Sequence, residues 1–229
     1  MTILTLLQKS VSRRIEKILV ATTNPGKIAE LRAMLDLGVQ WVGLSDFTDV
    51  GEIEEDGTTF AENARKKALG YAKATGLWTL ADDSGLVVDA LGGEPGVKSS
   101  RFSGEQLKGD EESCSPAVQD RSLIDHRNMA KVLTLLKRVP KEARTARFVC
   151  CLCLASTEEV LVQTRGTLEG LIAEKEIGQN GFGYDPIFFV PSLNKTVGQL
   201  TPEEKNAISH RGEAIRKLKP LLEELLAKP

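Results

Sequence analysis

The spacing of two apolar runs late in the chain limits the fold more than any other feature. Thr145 to Ala155 and Val160 to Gly166 both read as strands, and only Ser156 to Glu159 lies between them. A parallel return needs a crossover of a dozen or more residues, so these strands must run antiparallel. Earlier in the chain the pattern is different. Strand candidates Lys17 to Thr22, Leu77 to Ala81 and Leu86 to Ala90 alternate with helical stripes at Pro25 to Asp36 and Phe60 to Thr75. Further helices are expected at Arg127 to Lys137, Pro202 to Ile208 and Glu213 to Ala227, with a strand at Pro186 to Val190. The expected class is therefore α/β, a single domain with a central mixed β-sheet flanked by helices. Pro220 should kink or divide the last helix.

The chain has 229 residues, 41% of them hydrophobic and 27% charged, which suits a soluble globular protein with a sizeable core. A net charge of -2 offers no general attraction to a phosphate backbone, which argues against extensive nucleic-acid binding. No apolar run approaches the ~18 to 20 residues that cross a bilayer. Met1 to Arg14 lacks the pattern of a targeting peptide and is expected to be a disordered extension ahead of a domain at 15–229. Cys150 and Cys153 form a C-x-x-C, but on a strand they point to opposite faces, so burial as small apolar residues is expected. That usage fits a reducing cytoplasm, and Cys114 falls in a polar, loop-like segment, Lys108 to Asp120.

Five polar clusters carry the chemistry. Thr22-Thr23-Asn24-Pro25-Gly26-Lys27 sits where a buried strand turns into a helix, a natural anion site. Lys27 opposes the helix dipole there, and a phosphate would reverse that penalty, although an ordinary capped helix accounts for the other residues equally well. Glu52, Glu54, Glu55 and Asp56 precede a helix carrying Glu62, Asn63 and Lys67; they suit either a solvated helix entry or a divalent cation. Asp82-Asp83-Ser84-Gly85 lies between apolar runs, where uncompensated carboxylates are costly, with a tight turn as the alternative. Gly181-Phe182-Gly183-Tyr184-Asp185-Pro186 combines close backbone approach, an aromatic face and a carboxylate, as a base site would. Lys205, Ser209, His210 and Arg211 concentrate hydrogen-bond donors, which match the C6 oxygen of inosine or xanthosine and mismatch the amino group of adenosine. His126 reads as a solvated histidine.

Taken in order, TTNPGK, EEDGTTFAENARKKA, ADDSGLVVDALGGEPGVKSSRFSG, GFGYDPIFF and LTPEEKNAISHRGEA resemble the inosine/xanthosine triphosphate pyrophosphatase family, or Ham1-like proteins, from about Ile18 to Leu226. The resemblance implies a bilobed fold with the nucleotide in a groove between lobes, a homodimer, a cytoplasmic location and a magnesium ion. It implies triphosphate contacts at Thr22, Thr23, Asn24, Pro25, Gly26, Lys27 and Lys67, metal ligation by Glu54 and Asp83, and substrate contact by Ser84. Asp83 would also accept the proton of the attacking water. Base and sugar recognition would fall to Phe182, Gly183, Tyr184, Asp185, Lys205, His210 and Arg211. The implied reaction is magnesium-assisted hydrolysis of ITP, dITP and XTP to the nucleoside monophosphate and pyrophosphate. Thr23 stands where many relatives of that family carry glycine. Two other readings stay open at this point, a Maf-like pyrophosphatase of pyrimidine nucleotides and a nucleotide-sensing module without hydrolysis.

Overall fold

A computed structural model describes residues 15–104 and 117–228, with side chains of 117–120 excluded. The expected N-terminal extension, Cys114 and most of the Lys108 to Asp120 segment lie outside the described residues. The described chain runs β1 (Lys17–Ala21), α1 (Pro25–Met34), β2 (Gln40–Gly43), α2 (Phe60–Thr75), β3 (Trp78–Val88), α3 (Ala117–Leu135), β4 (Thr145–Ala155), β5 (Val160–Ile172), β6 (Phe188–Val190), β7 (Lys195–Thr196), α4 (Pro202–Ile208) and α5 (His210–Ala227).

These strands form one seven-stranded sheet in the order β2-β1-β3-β4-β5-β6-β7. β1 lies parallel to both β2 and β3, because α1 and α2 supply the crossovers. From β3 onward every pairing is antiparallel, including the β4–β5 pair joined by the short turn. The sheet is mixed for the reason the connector lengths predict.

Side-chain alternation along β4 divides the core. Cys150, Leu152 and Leu154 face Leu31 and Leu35 beside α1 and Ala214, Ile215, Leu218 and Leu222 of α5. Val149, Cys151, Cys153 and Ala155 face Ala64, Ala68 and Tyr71 of α2. A third cluster joins the far ends of β3 to β5 with Phe188 of β6, Tyr184 and the α3 residues Met129 and Val132. All three cysteines of β4 are free and buried, with Cys150 and Cys153 on opposite faces.

Five elements differ from the sequence expectation. β3 is one continuous strand through Asp82-Asp83-Ser84-Gly85 instead of two strands around a turn, because β4 pairs with it from Thr79 to Val88. α3 begins at Ala117, ten residues before the expected start, and its first turn overlaps the segment expected as loop. Its early turns are polar, which hid them from an apolar-stripe reading. α5 starts at His210 and runs unbroken through Pro220, held against the sheet by Ile215, Leu218 and Leu222 on either side of the proline. The short strands β2 and β7 carry too few residues for an alternation signal.

β5 and α5 approach closely at Gly166, where an added Cβ would lie 2.1 Å from the His210 carbonyl oxygen and 2.6 Å from the Ala214 nitrogen. Both are backbone atoms and cannot swing aside. Gly166→Ala is expected to destabilise the protein by about 1 to 3 kcal/mol, read as a lower urea midpoint.

Candidate active site

β1 leaves the sheet early. Its last rung pairs Ala21 with Ala81, and beyond that rung β1 no longer covers its side of β3. The chain then turns through Thr22 and Thr23 into α1, so the opening lies at the carboxyl end of a parallel strand, where open α/β sheets place their ligands. The Asn24 side chain caps α1, accepting from the backbone N–H of Gly26 at 2.9 Å and of Lys27 at 3.3 Å. Pro25 occupies the first turn, Asn24 is buried, and Thr23 and Pro25 are exposed.

Asp82 and Asp83 are neighbours on a strand, so they point to opposite faces. Asp82 faces α1 and α5 and is almost fully buried. Its Oδ1 accepts from Lys27 Nζ at 2.6 Å and Ser84 Oγ at 2.8 Å; its Oδ2 accepts from Arg211 Nε at 2.7 Å and the Cys150 thiol at 3.3 Å. Burial alone would raise this carboxyl, but the Arg211 and Lys27 cations outweigh it and hold Asp82 well below the usual carboxylate range. Lys27 is therefore compensated by a protein carboxylate, and its place in the first turn of α1 does not by itself require a phosphate.

Arg211 extends the network by donating to Ser84 Oγ at 2.8 Å and pairing with Glu30 of α1. Glu30 also meets Lys205 Nζ at 2.8 Å, and Lys205 reaches Asp185 Oδ2 at 2.5 Å. Burial acts to raise Glu30, and the two cations overcome it to hold the carboxyl low. Asp185 in turn accepts the backbone N–H of Phe182 at 2.8 Å. The Lys205 ammonium lies 4.2 Å from the centre of the Phe182 ring, whose edge packs where a side chain on Gly26 would be. Beside this network opens a cavity of about 250 Å³ lined by Gly26, Glu30, Phe182, Leu200, Pro202 and Lys205.

Asp83 faces α2. Lys67 Nζ donates to the Asp82 carbonyl at 2.9 Å and lies 3.4 Å from Asp83 Oδ1 and 2.9 Å from Glu55 Oε2. Asp83 Oδ2 is buried without a hydrogen-bond partner. Burial pushes this carboxyl up to about 6 despite Lys67 and Lys27, and the neighbouring Glu55 adds to the rise.

The structure thus gathers Lys27, Ser84, Phe182, Asp185, Lys205 and Arg211 into one network and Asp83 with Lys67 into an adjoining one. Three expected residues stand differently. Glu54 is exposed, while Glu55 reaches Lys67. Exposure alternates from Glu52 to Asp56, and Ile53, on the same side as Glu55, packs against Gly70 of α2 and donates its N–H to Tyr71 Oη at 3.3 Å. This alternation moves the inward carboxylate one residue along. Tyr184 is in the core, its hydroxyl donating to the Ser99 carbonyl at 2.7 Å. His210 stacks on Phe148 with ring centres 4.8 Å apart and a buried, unpartnered Nδ1; burial first, then Arg211 and Lys205, hold it well below the usual histidine range. His126 is largely exposed and pairs with Glu176. Sequence reasoning missed Glu30 as a site residue and grouped Glu55 with its acidic neighbours without singling it out; Glu30 stands three residues after Lys27, one helical turn on, which is the only local signal it offers.

A mixed α/β sheet with an ion-paired cluster of lysines, an arginine and carboxylates at the end of a parallel strand defines an α/β protein whose candidate site lies where such sheets take their ligands. The chain belongs to the Ham1 family, whose model matches residues 18–221. It is 45% identical over 210 residues, 91% of this chain and 96% of the relative, to a dITP/XTP pyrophosphatase from Desulforamulus reducens. A Bacillus subtilis protein of the same description is 44% identical over 91% of this chain and 98% of its own length. Among solved structures, a HAM1 protein from Coxiella burnetii superposes with a TM-score of 0.77 at 41% identity, covering 92% of this chain and all of that one. The Staphylococcus aureus Ham1 protein gives 0.74 at 39% identity over 91% of this chain and 98% of its own.

The raised Asp83 has a consequence for stability. A carboxyl that holds its proton more tightly in the folded state favours folding most at low pH, and that contribution is lost as pH rises from its ordinary 3.8 to about 6. With chelator present, Asp83→Asn is expected to be more stable than the parent above pH 6, by roughly 1 to 3 kcal/mol, with the gap closing toward pH 4. Denaturant titrations at several pH values would show it.

Proposed function

We propose that the protein is a nucleoside triphosphate pyrophosphatase that hydrolyses the non-standard purine nucleotides ITP, dITP and XTP to the monophosphate and pyrophosphate, clearing them from the nucleotide pool. The observation that carries the reading is the pairing of two adjacent carboxylates with opposite tasks beside the Thr22 to Lys27 turn. Asp82 stays charged and structural, whereas Asp83 keeps a buried oxygen without a partner. The names of the relatives fit the same chemistry.

A magnesium ion fits the donor set. Among the described residues, no group of three or more His, Cys, Asp or Glu side chains forms a ready-made cation cage, and magnesium is commonly held by one or two carboxylates together with substrate phosphates. We assign that holding role to Asp83 with Glu55, in place of Glu54, because Glu55 shares Lys67 with Asp83. When bound, the ion supplies charge neutralisation and polarisation of the phosphoryl group. Lys27, Lys67 and the N–H groups at the start of α1 stabilise charge developing on the phosphates. Asp83, which a bound cation would keep ionised, orients water and takes its proton.

The cavity between α1, α4 and Phe182 receives the purine, with Lys205, which lines it, as donor to the C6 oxygen and Arg211 behind it in the ion-pair network. Adenine, which presents an amino group there, would leave that donor unmatched. Asp185 and Glu30 hold the two cations in place.

Pyrophosphate release from ITP, dITP and XTP should far exceed release from ATP, GTP, dTTP and UTP and should stop with chelator; pyrimidine preference would instead support the Maf-like reading. Asp83→Asn should lower kcat by about 100- to 10,000-fold while remaining folded, and near-parent turnover would reject its role as base. Glu55→Gln should raise the magnesium concentration needed for half-maximal rate, and Glu54→Gln should leave it unchanged.

A further inference from the structure

The purine-facing loop is held from outside the cavity as well as from within. Gly181 and Gly183 both take positive φ, at 79° and 64°, and Phe182 stands between them. Two carboxylates fix this short backbone. Asp185 accepts the Phe182 N–H at 2.8 Å from the cavity side, where it also meets Lys205. From the other side, Asp125 of α3 accepts the Gly183 N–H through Oδ2, also at 2.8 Å. Asp125 is half-buried, and burial acts to raise its carboxyl while the Gly183 N–H acts against that rise.

Asp125 belongs to a polar stripe on α3 that recurs every three residues. Asn128 accepts the Ser103 N–H at 2.7 Å and donates to the Ser99 and Ser100 carbonyls, and Lys131 donates to the Phe102 carbonyl at 2.7 Å. Tyr184, one residue beyond Gly183, closes the circuit through its hydroxyl to the Ser99 carbonyl. α3 therefore grips both the loop that carries Phe182 and the segment after β3. Met129 and Val132 anchor the helix in the core that also contains Tyr184.

We propose that Asp125 is a positioning residue for base recognition: by accepting the Gly183 N–H it fixes the backbone on which Phe182 is presented to the purine, without touching substrate itself. The proposal rests on the assignment of the Phe182 cavity to the base. A glycine in a left-handed conformation has many alternatives once its N–H is released, so the bond restricts a mobile position. Its loss should weaken binding of the base more than it slows the chemistry at Asp83, which lies on a different face of the sheet.

The test compares Asp125→Ala with Asp125→Asn, whose side-chain oxygen can still accept the hydrogen bond. Hydrogen exchange over residues 181–185, measured without nucleotide, should speed up in the alanine variant and return close to the parent in the asparagine variant. In parallel, KM for ITP should rise about tenfold in the alanine variant, the scale of one hydrogen bond to a charged group, with kcat held within about twofold. Should Asp125→Ala fail to fold, Asp125→Glu keeps the charge but displaces the acceptor and carries the same expectation. Unchanged exchange would overturn the proposal, as would faster exchange with unchanged KM, or an equal loss of kcat and stability that asparagine does not rescue. If the parent enzyme cleaves ATP and GTP as readily as ITP, the base-site assignment falls, and the exchange measurement still decides whether Asp125 positions the loop.

Discussion

The buried carboxylate of Asp82 is the interaction on which the site depends. It stands in the middle of the sheet and receives Lys27 from α1 and Arg211 from α5, residues brought together from three separate elements. Arg211 is itself almost fully buried, and a guanidinium there without its anion would be untenable. Removing one partner of such a pair typically costs about 3 to 5 kcal/mol, because the other is left charged and dry. From Arg211 the order passes to Glu30, Lys205, Asp185 and the Phe182 backbone, so the Phe182 loop is oriented through a continuous run of ion pairs.

Strand geometry then divides the labour. Successive side chains on β3 point to opposite faces, so one dipeptide furnishes a fully compensated carboxylate on the α1 and α5 side and an incompletely satisfied one on the α2 side. Their acidities diverge in opposite directions for that reason: two close cations overcome burial at Asp82, whereas burial and Glu55 prevail at Asp83. Pairs of carboxyl groups whose surroundings push them apart in this way are the usual means of separating structural from proton-transfer roles. β1 stops at Ala21, so its pairing with β3 ends at Ala81, just before this dipeptide.

Much of the fold was legible from local pattern. The mixed sheet follows from connector lengths, and α2 and α4 occupy the expected residues because their caps and stripes agree. Where local signals conflicted with distant pairing, pairing prevailed. Asp-Ser-Gly reads as a turn, yet ten rungs with β4 keep it extended. Pro220 reads as a break, yet contacts of α5 with the sheet carry the helix through it. That Glu55 and not Glu54 turns toward α2 follows from Ile53 packing against Gly70, two residues before Glu55 on an extended stretch.

The sequence by itself determined the fold class, the placement of a capped turn into α1 after β1, the concentration of carboxylates on β3 and the donors near the start of α5. These are consequences of periodicity, capping and residue chemistry, which act over a few neighbours. Only the tertiary structure decided that Asp82 is a hub and Asp83 a buried, incompletely satisfied carboxylate, that Tyr184 and His210 turn into the core, that Glu30 and Glu55 join the ion-pair networks, and that Asp125 meets the Gly183 N–H. Those assignments depend on which groups meet across the sheet from positions as far apart as Asp82 and Arg211. At such separations burial and charge compensation choose the partners, and no local spacing records the choice.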